Sequence, residues 1–212
     1  TAVVESGAGH RPVEVVFTRH EEGGLVGAHH LDFSLISAVT GLVFDGEGPA
    51  NRVAVAAPSQ NVVTANIHGR AAHAGIEPEN GISAILIAAE ILTQLPLGRI
   101  DSETTSNVGR IEGGLKRNII PDQVFLDGEI RSLDNKKLDH YSQMFRDAFQ
   151  QVADRYPEAN IDLDISNTYQ AYNIDNSHAT VKMITRALSQ AGLEANLEST
   201  GGGSDANIFI QN

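Results

Sequence analysis

The stretch Asn135-Lys-Lys-Leu-Asp-His-Tyr-Ser-Gln-Met-Phe-Arg-Asp-Ala-Phe-Gln-Gln-Val-Ala-Asp-Arg-Tyr156, closed by Pro157 and followed by Asn160-Ile-Asp-Leu-Asp-Ile-Ser-Asn-Thr168, changes its hydrophobic period part-way. Leu138, Tyr141, Phe145, Ala148, Phe149 and Val152 recur at steps of three and four, the spacing of an amphipathic helix over 135–156. Asp134 or Asn135 is the expected N-cap. Ile161, Leu163 and Ile165 then alternate with Asp162, Asp164 and Ser166, the period of a half-buried strand. Upstream, Gln60–His68 reads as a strand and a loop holding Gly69, Gly75 and Pro78 follows it. Gly81–Leu95 then carries Ile82, Ile85, Leu86, Ala89 and Leu92 on one helical stripe. Ser106–Glu112 and Gln123–Ser132 read as strands, separated by Gly113-Gly114 and the Asn118-Ile-Ile-Pro121 turn. The order is βαββαβ, which predicts a ferredoxin-like unit with its helices on one face of a four-stranded antiparallel sheet.

Further out the pattern belongs to a different sheet. Val13-Glu-Val-Val-Phe-Thr18 is a β-branched run suited to a buried strand, and it leads into Arg19-His20-Glu21-Glu22-Gly23-Gly24. A second apolar run, Ala38–Phe44, stops at Asp45-Gly46-Glu47-Gly48-Pro49. Two strands thus deliver carboxylates to one edge, where ligands collect in open α/β sheets. On the C-terminal side, Asn176 or Ser177 caps a helix running to about Ala191, Gly192 ends it, and Glu194–Glu198 reads as a short strand before Thr200-Gly-Gly-Gly-Ser-Asp205. The expected fold class is α/β: a domain made of 1–58 and 171–212, with the ferredoxin-like unit of 59–170 inserted between its two pieces.

Composition removes several functions. Lys and Arg number 15 against 27 Asp and Glu, a net charge of −12, which disfavours a nucleic-acid partner. There is no cysteine, so disulfides and thiolate metal sites are excluded. The longest unbroken apolar stretch, Ala84–Ala89, is far short of the ~18 residues a spanning helix needs, so no membrane association is expected. The chain starts at Thr1 with neither an initiator Met nor a basic segment before an apolar one, and the expectation is a trimmed or partial chain. No Gly-x-Ser-x-Gly elbow and no Walker sequence is present.

The adjacent Glu21 and Glu22 are either a solvated loop or a pair in which one carboxylate binds a metal and the other works on a bound water. Asp45 at the next strand end adds an oxygen ligand suited to a hard or borderline cation. His73, among small residues in Gly69-Arg-Ala-Ala-His-Ala-Gly75, is a surface histidine or a donor to an oxyanion. Asn118 is open in the same way, and Arg131 is a salt-bridge partner or a fork for a substrate carboxylate. The glycine run before Asp205 is an anion nest or a flexible turn. His30-Leu-Asp32 spells His-x-Asp, but it follows Gly27-Ala28-His29 in a helical context and reads as a surface turn.

Taken in order, Phe17-Thr-Arg-His-Glu-Glu-Gly-Gly-Leu-Val-Gly-Ala-His-His-Leu-Asp32, Asp45-Gly46, His68-Gly-Arg-Ala-Ala-His-Ala-Gly75, Arg117-Asn-Ile-Ile-Pro121, Asp127-Gly-Glu-Ile-Arg131 and Gly201-Gly-Gly-Ser-Asp205 resemble the co-catalytic zinc exopeptidases related to peptidase T and glutamate carboxypeptidase. The resemblance implies a catalytic α/β domain interrupted by a lid that mediates homodimerisation. It implies that Glu21 is the general base, Glu22 a ligand of one metal and Asp45 a ligand of the other. His73 matches the lid histidine that reaches into the partner subunit's site, and Asn118 and Arg131 match lid positions that bind substrate. Two Zn²⁺ per intact site are implied, with Co²⁺ or Mn²⁺ as alternatives, as are a cytoplasmic location and a small peptide or N-acyl amino acid as substrate. The family's upstream His-x-Asp, bridging Asp and late His have no match, so these residues by themselves are expected to be inactive. Some relatives carry an Arg near Ser199 or Gly201 that this chain lacks. A deacylase or desuccinylase of the same family is the alternative activity, and a non-catalytic dimerisation module the alternative outside enzymes.

Overall fold

The computed structural model describes residues 5–7, 9–10, 12–46 and 48–212. The chain divides into two compact units, one made of the described part of 1–48 with 204–212, the other of 49–203.

In the larger unit, strand β1 (Arg52–Ala57) is the middle of a three-stranded sheet. The ferredoxin-like elements follow: β2 (Ser59–His68), helix α2 (Ala84–Gln94), the two-residue β3 (Gly98–Arg99), β4 (Thr104–Gly113), β5 (Gln123–Ser132), helix α3 (Asn135–Ala153) and β6 (Asn160–Tyr169). The strands form one antiparallel sheet in the order β3-β4-β5-β2-β6, so the expected βαββαβ order is present with β3 added at the edge. In β2, Val63, Ala65 and Ile67 face the helices while Gln60, Thr64, Asn66 and His68 face away. Phe145 and Val152 of α3 and Ile87 and Ile91 of α2 are fully buried against Ile67 and Ile130 of the sheet. Ser83 caps α2 by accepting from the Leu86 amide, and Asp134 caps α3 by accepting from the Lys136 and Lys137 amides. Back in the smaller sheet, β7 (Tyr172–Asn173) runs antiparallel to β1, helix α4 (Ala179–Gln190) follows, and β8 (Asn196–Ser199) runs parallel to β1.

The helical stripe expected on α2 is corrected. Ala84, Ile87, Ala88 and Ile91 are the buried face, whereas Ile85 and Leu86 are 42% and 62% exposed. The segment Ala-Ile-Leu-Ile-Ala-Ala is apolar all round, so periodicity did not distinguish its two faces.

In the smaller unit, helix α1 (Val26–His29) and a 3₁₀ turn (Phe33–Leu35) precede the last helix, α5 (Asp205–Phe209), and Phe33 meets Phe209 edge-to-face at 5.8 Å. The strands expected at Val13–Thr18 and Ala38–Phe44 are also corrected: neither run is in a sheet, and Phe17, Val39 and Phe44 are more than nine-tenths exposed. A β-branched run becomes a strand only when a neighbouring strand takes its amides and carbonyls, and among the described residues no strand pairs with either run. The link between the two runs is instead the Glu14 carboxylate, which accepts from the Ser37 and Ala38 amides. No helix among the described residues is long and apolar enough to cross a membrane.

Candidate active site

The singled-out side chains fall into three groups. The first is built on the turn Glu21–Gly24. The Glu21 carbonyl accepts from the Gly24 and Leu25 amides at 3.1 and 2.8 Å, and the Gly27 amide donates to the Arg19 carbonyl at 3.0 Å, so the turn closes on itself. A Cβ at Gly27 would fall 2.6 Å from the Arg19 backbone, which is why that closure needs glycine. Within this turn the Glu21 carboxyl is pushed up: partial burial is the main cause, followed by the negative charges of Asp45, Glu22 and Asp205 and a hydrogen bond shared with Asp45. Asp205 is buried; its Oδ2 accepts from Thr18 Oγ1, and its Oδ1 has no hydrogen-bond partner. The surface reading of His30 and Asp32 holds, since His30 contacts the Val26 carbonyl and Asp32 caps the 3₁₀ turn at Ser34.

Carboxylates whose negative charges raise the proton affinity of Glu21, with one Asp205 oxygen unpartnered, have the donor chemistry that a hard or borderline cation satisfies. The fit is partial. Among the described residues, no three His, Cys, Asp or Glu side chains meet in a metal-holding arrangement.

The second group lies in the larger unit, beyond the Gln123 end of β5. His73 bridges Ile119, and the Ala74 amide donates to the Asn118 carbonyl at 3.0 Å, so the loops after β2 and β4 hold His73 and Asn118 side by side, both exposed. The Gly75 amide donates to His73 Nδ1 at 3.2 Å. In the neutral ring that bond leaves the proton on Nε2, the form that donates outward.

The third group surrounds Arg131. Its Nε and Nη2 donate to Oε1 and Oε2 of Glu129 at 3.0 and 2.9 Å, and Gln60 Nε2 donates to the same Oε2 at 2.7 Å. Burial works against the guanidinium charge, but the Glu129 hydrogen bonds and the charges of Tyr169 and Glu129 outweigh it. The glycine run passes alongside: Arg131 Nη1 points at the Gly201 carbonyl, 3.4 Å away, and a Cβ at Gly203 would enter the Tyr169 ring. Arg131 does not join His73 and Asn118. Gln123 and Arg131 are eight residues apart on β5, about 26 Å of strand.

Thr18, Gln60 and Glu129 belong to these groups, and motif reading overlooked them, as it overlooked the part played by Asp205. Glu129 had a usable signal, because opposite charges at i and i+2 of a strand share a face. Thr18, Gln60 and Asp205 had none, since their partners are distant in sequence.

The chain is similar to known proteins over most of its length. Residues 61–157 match the peptidase dimerisation domain. Over 92% of its length the chain superposes on the aminopeptidase PepT of Bacillus cereus ATCC 10987, with a TM-score of 0.83 and 41% identity. The chain resembles the peptidase T-like proteins. A tripeptidase of Staphylococcus aureus subsp. aureus Mu50 superposes with a TM-score of 0.86 at 34% identity, again over 92% of the chain. The protein YqjE of Bacillus subtilis (strain 168) is 41% identical over 201 residues, 94% of the chain. This peptidase T-like chain spans about half of each relative: 52% of the two structures and 54% of YqjE. The mixed α/β fold with an inserted dimerisation domain is that of the family.

Proposed function

We propose that this peptidase T-like chain serves a metal-dependent hydrolysis of the amide bond in small peptides, with 59–170 as the lid inserted into a catalytic domain formed by 1–58 and 171–212. The observation that carries the reading is the Glu21-Glu22 turn, closed between Arg19 and Gly27, in which the charge of Asp45 from a second segment acts on Glu21. Glu22 and Asp45 would hold metal, Zn²⁺ by resemblance, and bound metal supplies an acidified water and a polarised carbonyl. Glu21 accepts the proton of the attacking water and returns it to the leaving amine, work for which a carboxyl with raised proton affinity is suited. His73 donates from Nε2 to the developing oxyanion, with Asn118 beside it. Arg131 receives the substrate carboxylate.

The roughly 26 Å of strand between the two lid groups supports a homodimer. A single small peptide does not span that length, so His73 and Asn118 of one copy serve the site of the other. Exposed Leu86 and Ile85 on α2, with Ile85 lying against Gly114, form an apolar patch beside the His73 loop for the second copy to cover. Names such as aminopeptidase and tripeptidase on the superposed structures favour peptides over N-acyl amino acids.

The test is Glu21→Gln in the intact protein. Tripeptide turnover should fall at least 10²-fold, as for loss of a general base, while metal content measured by atomic absorption is retained. Unchanged turnover refutes the base assignment; hydrolysis of N-acyl amino acids but not of tripeptides refutes the substrate class.

A further inference from the structure

A guanidinium has two edges that a carboxylate fork can engage: the side edge, Nε with one Nη, and the outer edge, Nη1 with Nη2. Glu129 fills the side edge of Arg131 with two hydrogen bonds at 3.0 and 2.9 Å. Gln60, directly opposite Arg131 on β2, reaches diagonally to the same Glu129 oxygen at 2.7 Å, so that oxygen receives two donors and the acid is braced from the neighbouring strand. The outer edge of Arg131 faces the glycine run. Nη1 approaches the Gly201 carbonyl at 3.4 Å, longer than an ordinary hydrogen bond, and a Cβ at Gly202 would already sit 4.0 Å from Nη1. A longer side chain at 202 would lie against that edge, so the glycines keep it open.

We propose that Glu129, braced by Gln60, is a positioning residue that fixes Arg131 as an end-on receptor for one substrate carboxylate. This rests on the role assigned to Arg131 above and adds what makes that arginine selective. With its side edge filled, Arg131 offers a single planar fork in one orientation. A peptide with a free C-terminal carboxylate fits that fork, and the same peptide as a C-terminal amide does not.

Glu129 has two separable effects. Its charge neutralises Arg131 and by itself weakens attraction for a second carboxylate, whereas its fork orients the guanidinium and by itself strengthens binding. The side chains are 25% and 34% exposed, so screening reduces the charge effect and orientation is expected to dominate.

The experiment compares kcat/KM for a tripeptide and for its C-terminal amide in the intact protein, with unfolding midpoints read alongside. Glu129→Gln keeps the length and loses one acceptor and the charge. Glu129→Asp keeps the charge but withdraws the fork. Both should lower the acid-to-amide ratio about tenfold, through KM, the loss of roughly one charge-assisted hydrogen bond. Gln60→Ala, which removes only the brace, should lower it about threefold and stands in if either Glu129 variant fails to fold. A ratio that rises in Glu129→Gln and is unchanged in Glu129→Asp overturns the proposal, because Glu129 would then act through its charge alone. Arg131→Lys separates the failures. If it lowers the ratio and the Glu129 and Gln60 variants do not, this inference falls alone; if it leaves the ratio unchanged, the carboxylate role of Arg131 falls and the inference with it.

Discussion

His20 and Leu25 both adopt left-handed backbone at φ 59°, the two non-glycine residues among those described that do so, and they bracket Glu21 and Glu22. Such conformations cost on the order of 1 kcal/mol each and persist where surrounding structure imposes them. The turn closed between Arg19 and Gly27 imposes them here, and the result is a Glu21 carboxyl aimed at Asp45. The glycine run acts by a related device. At Gly203 a Cβ would lie 2.2 Å from Tyr169 Cζ, and Tyr169 is a buried residue whose carbonyl accepts from Ser59 Oγ at 2.7 Å. Gly203→Ala must therefore displace the ring, and its urea midpoint should fall by the equivalent of ~1–3 kcal/mol, the usual range for overpacking. Gly201 has nothing within 4 Å of the same probe position, so Gly201→Ala should shift stability by less than ~0.5 kcal/mol. Equal shifts for the two alanines would show that the approach to Tyr169 is not what constrains the run.

At the scale of elements, α2 is the informative case. Both its faces are apolar, and the sheet buries Ile87 and Ile91 while leaving Leu86 outward. Ile87→Ala should cost ~2–5 kcal/mol of unfolding free energy, because it leaves a cavity under the sheet. Leu86→Ala should leave the unfolding of the single chain nearly unchanged and weaken self-association measured by sedimentation. If Leu86→Ala costs as much stability as Ile87→Ala, the assignment of faces is wrong. The same helix shows what is legible in a sequence. Its existence, the alternation in β6 and the stripe of α3 follow from local period, and the βαββαβ topology follows from their order. The facing of α2 does not, because choosing between two apolar stripes takes the sheet itself. Val13–Thr18 and Ala38–Phe44 have strand composition, but pairing is a property of a neighbour, and no described neighbour supplies it. In the candidate site, the roles proposed for Glu21, Glu22, Asp45, His73, Asn118 and Arg131 rest on motif resemblance. Gln60 was not, because its contact to Glu129 spans 69 residues of chain.

At the scale of the whole molecule, the separation of the lid groups makes a prediction about assembly. His73 and Asn118 lie past one end of β5 and Arg131 at the other, and β5 is paired along its length between them. If His73 of each copy completes the site of its partner, a dimer of one Glu21→Gln chain and one His73→Ala chain contains one site with both residues intact and one with neither. Each homodimer has two sites that lack the same residue. Mixing the two inactive proteins, unfolding and refolding them together, should therefore restore about one quarter of wild-type turnover, since half of the dimers are mixed and half of their sites are whole. If His73 serves its own chain's site, every site in the mixture lacks one of the two residues and no activity returns. Recovery read above the residual turnover of the two homodimers separates a partner's histidine from one that is merely structural. Placing Leu86→Ala on both chains should then reduce the recovery, because complementation through the lid requires the apolar face of α2 to be covered by the second copy.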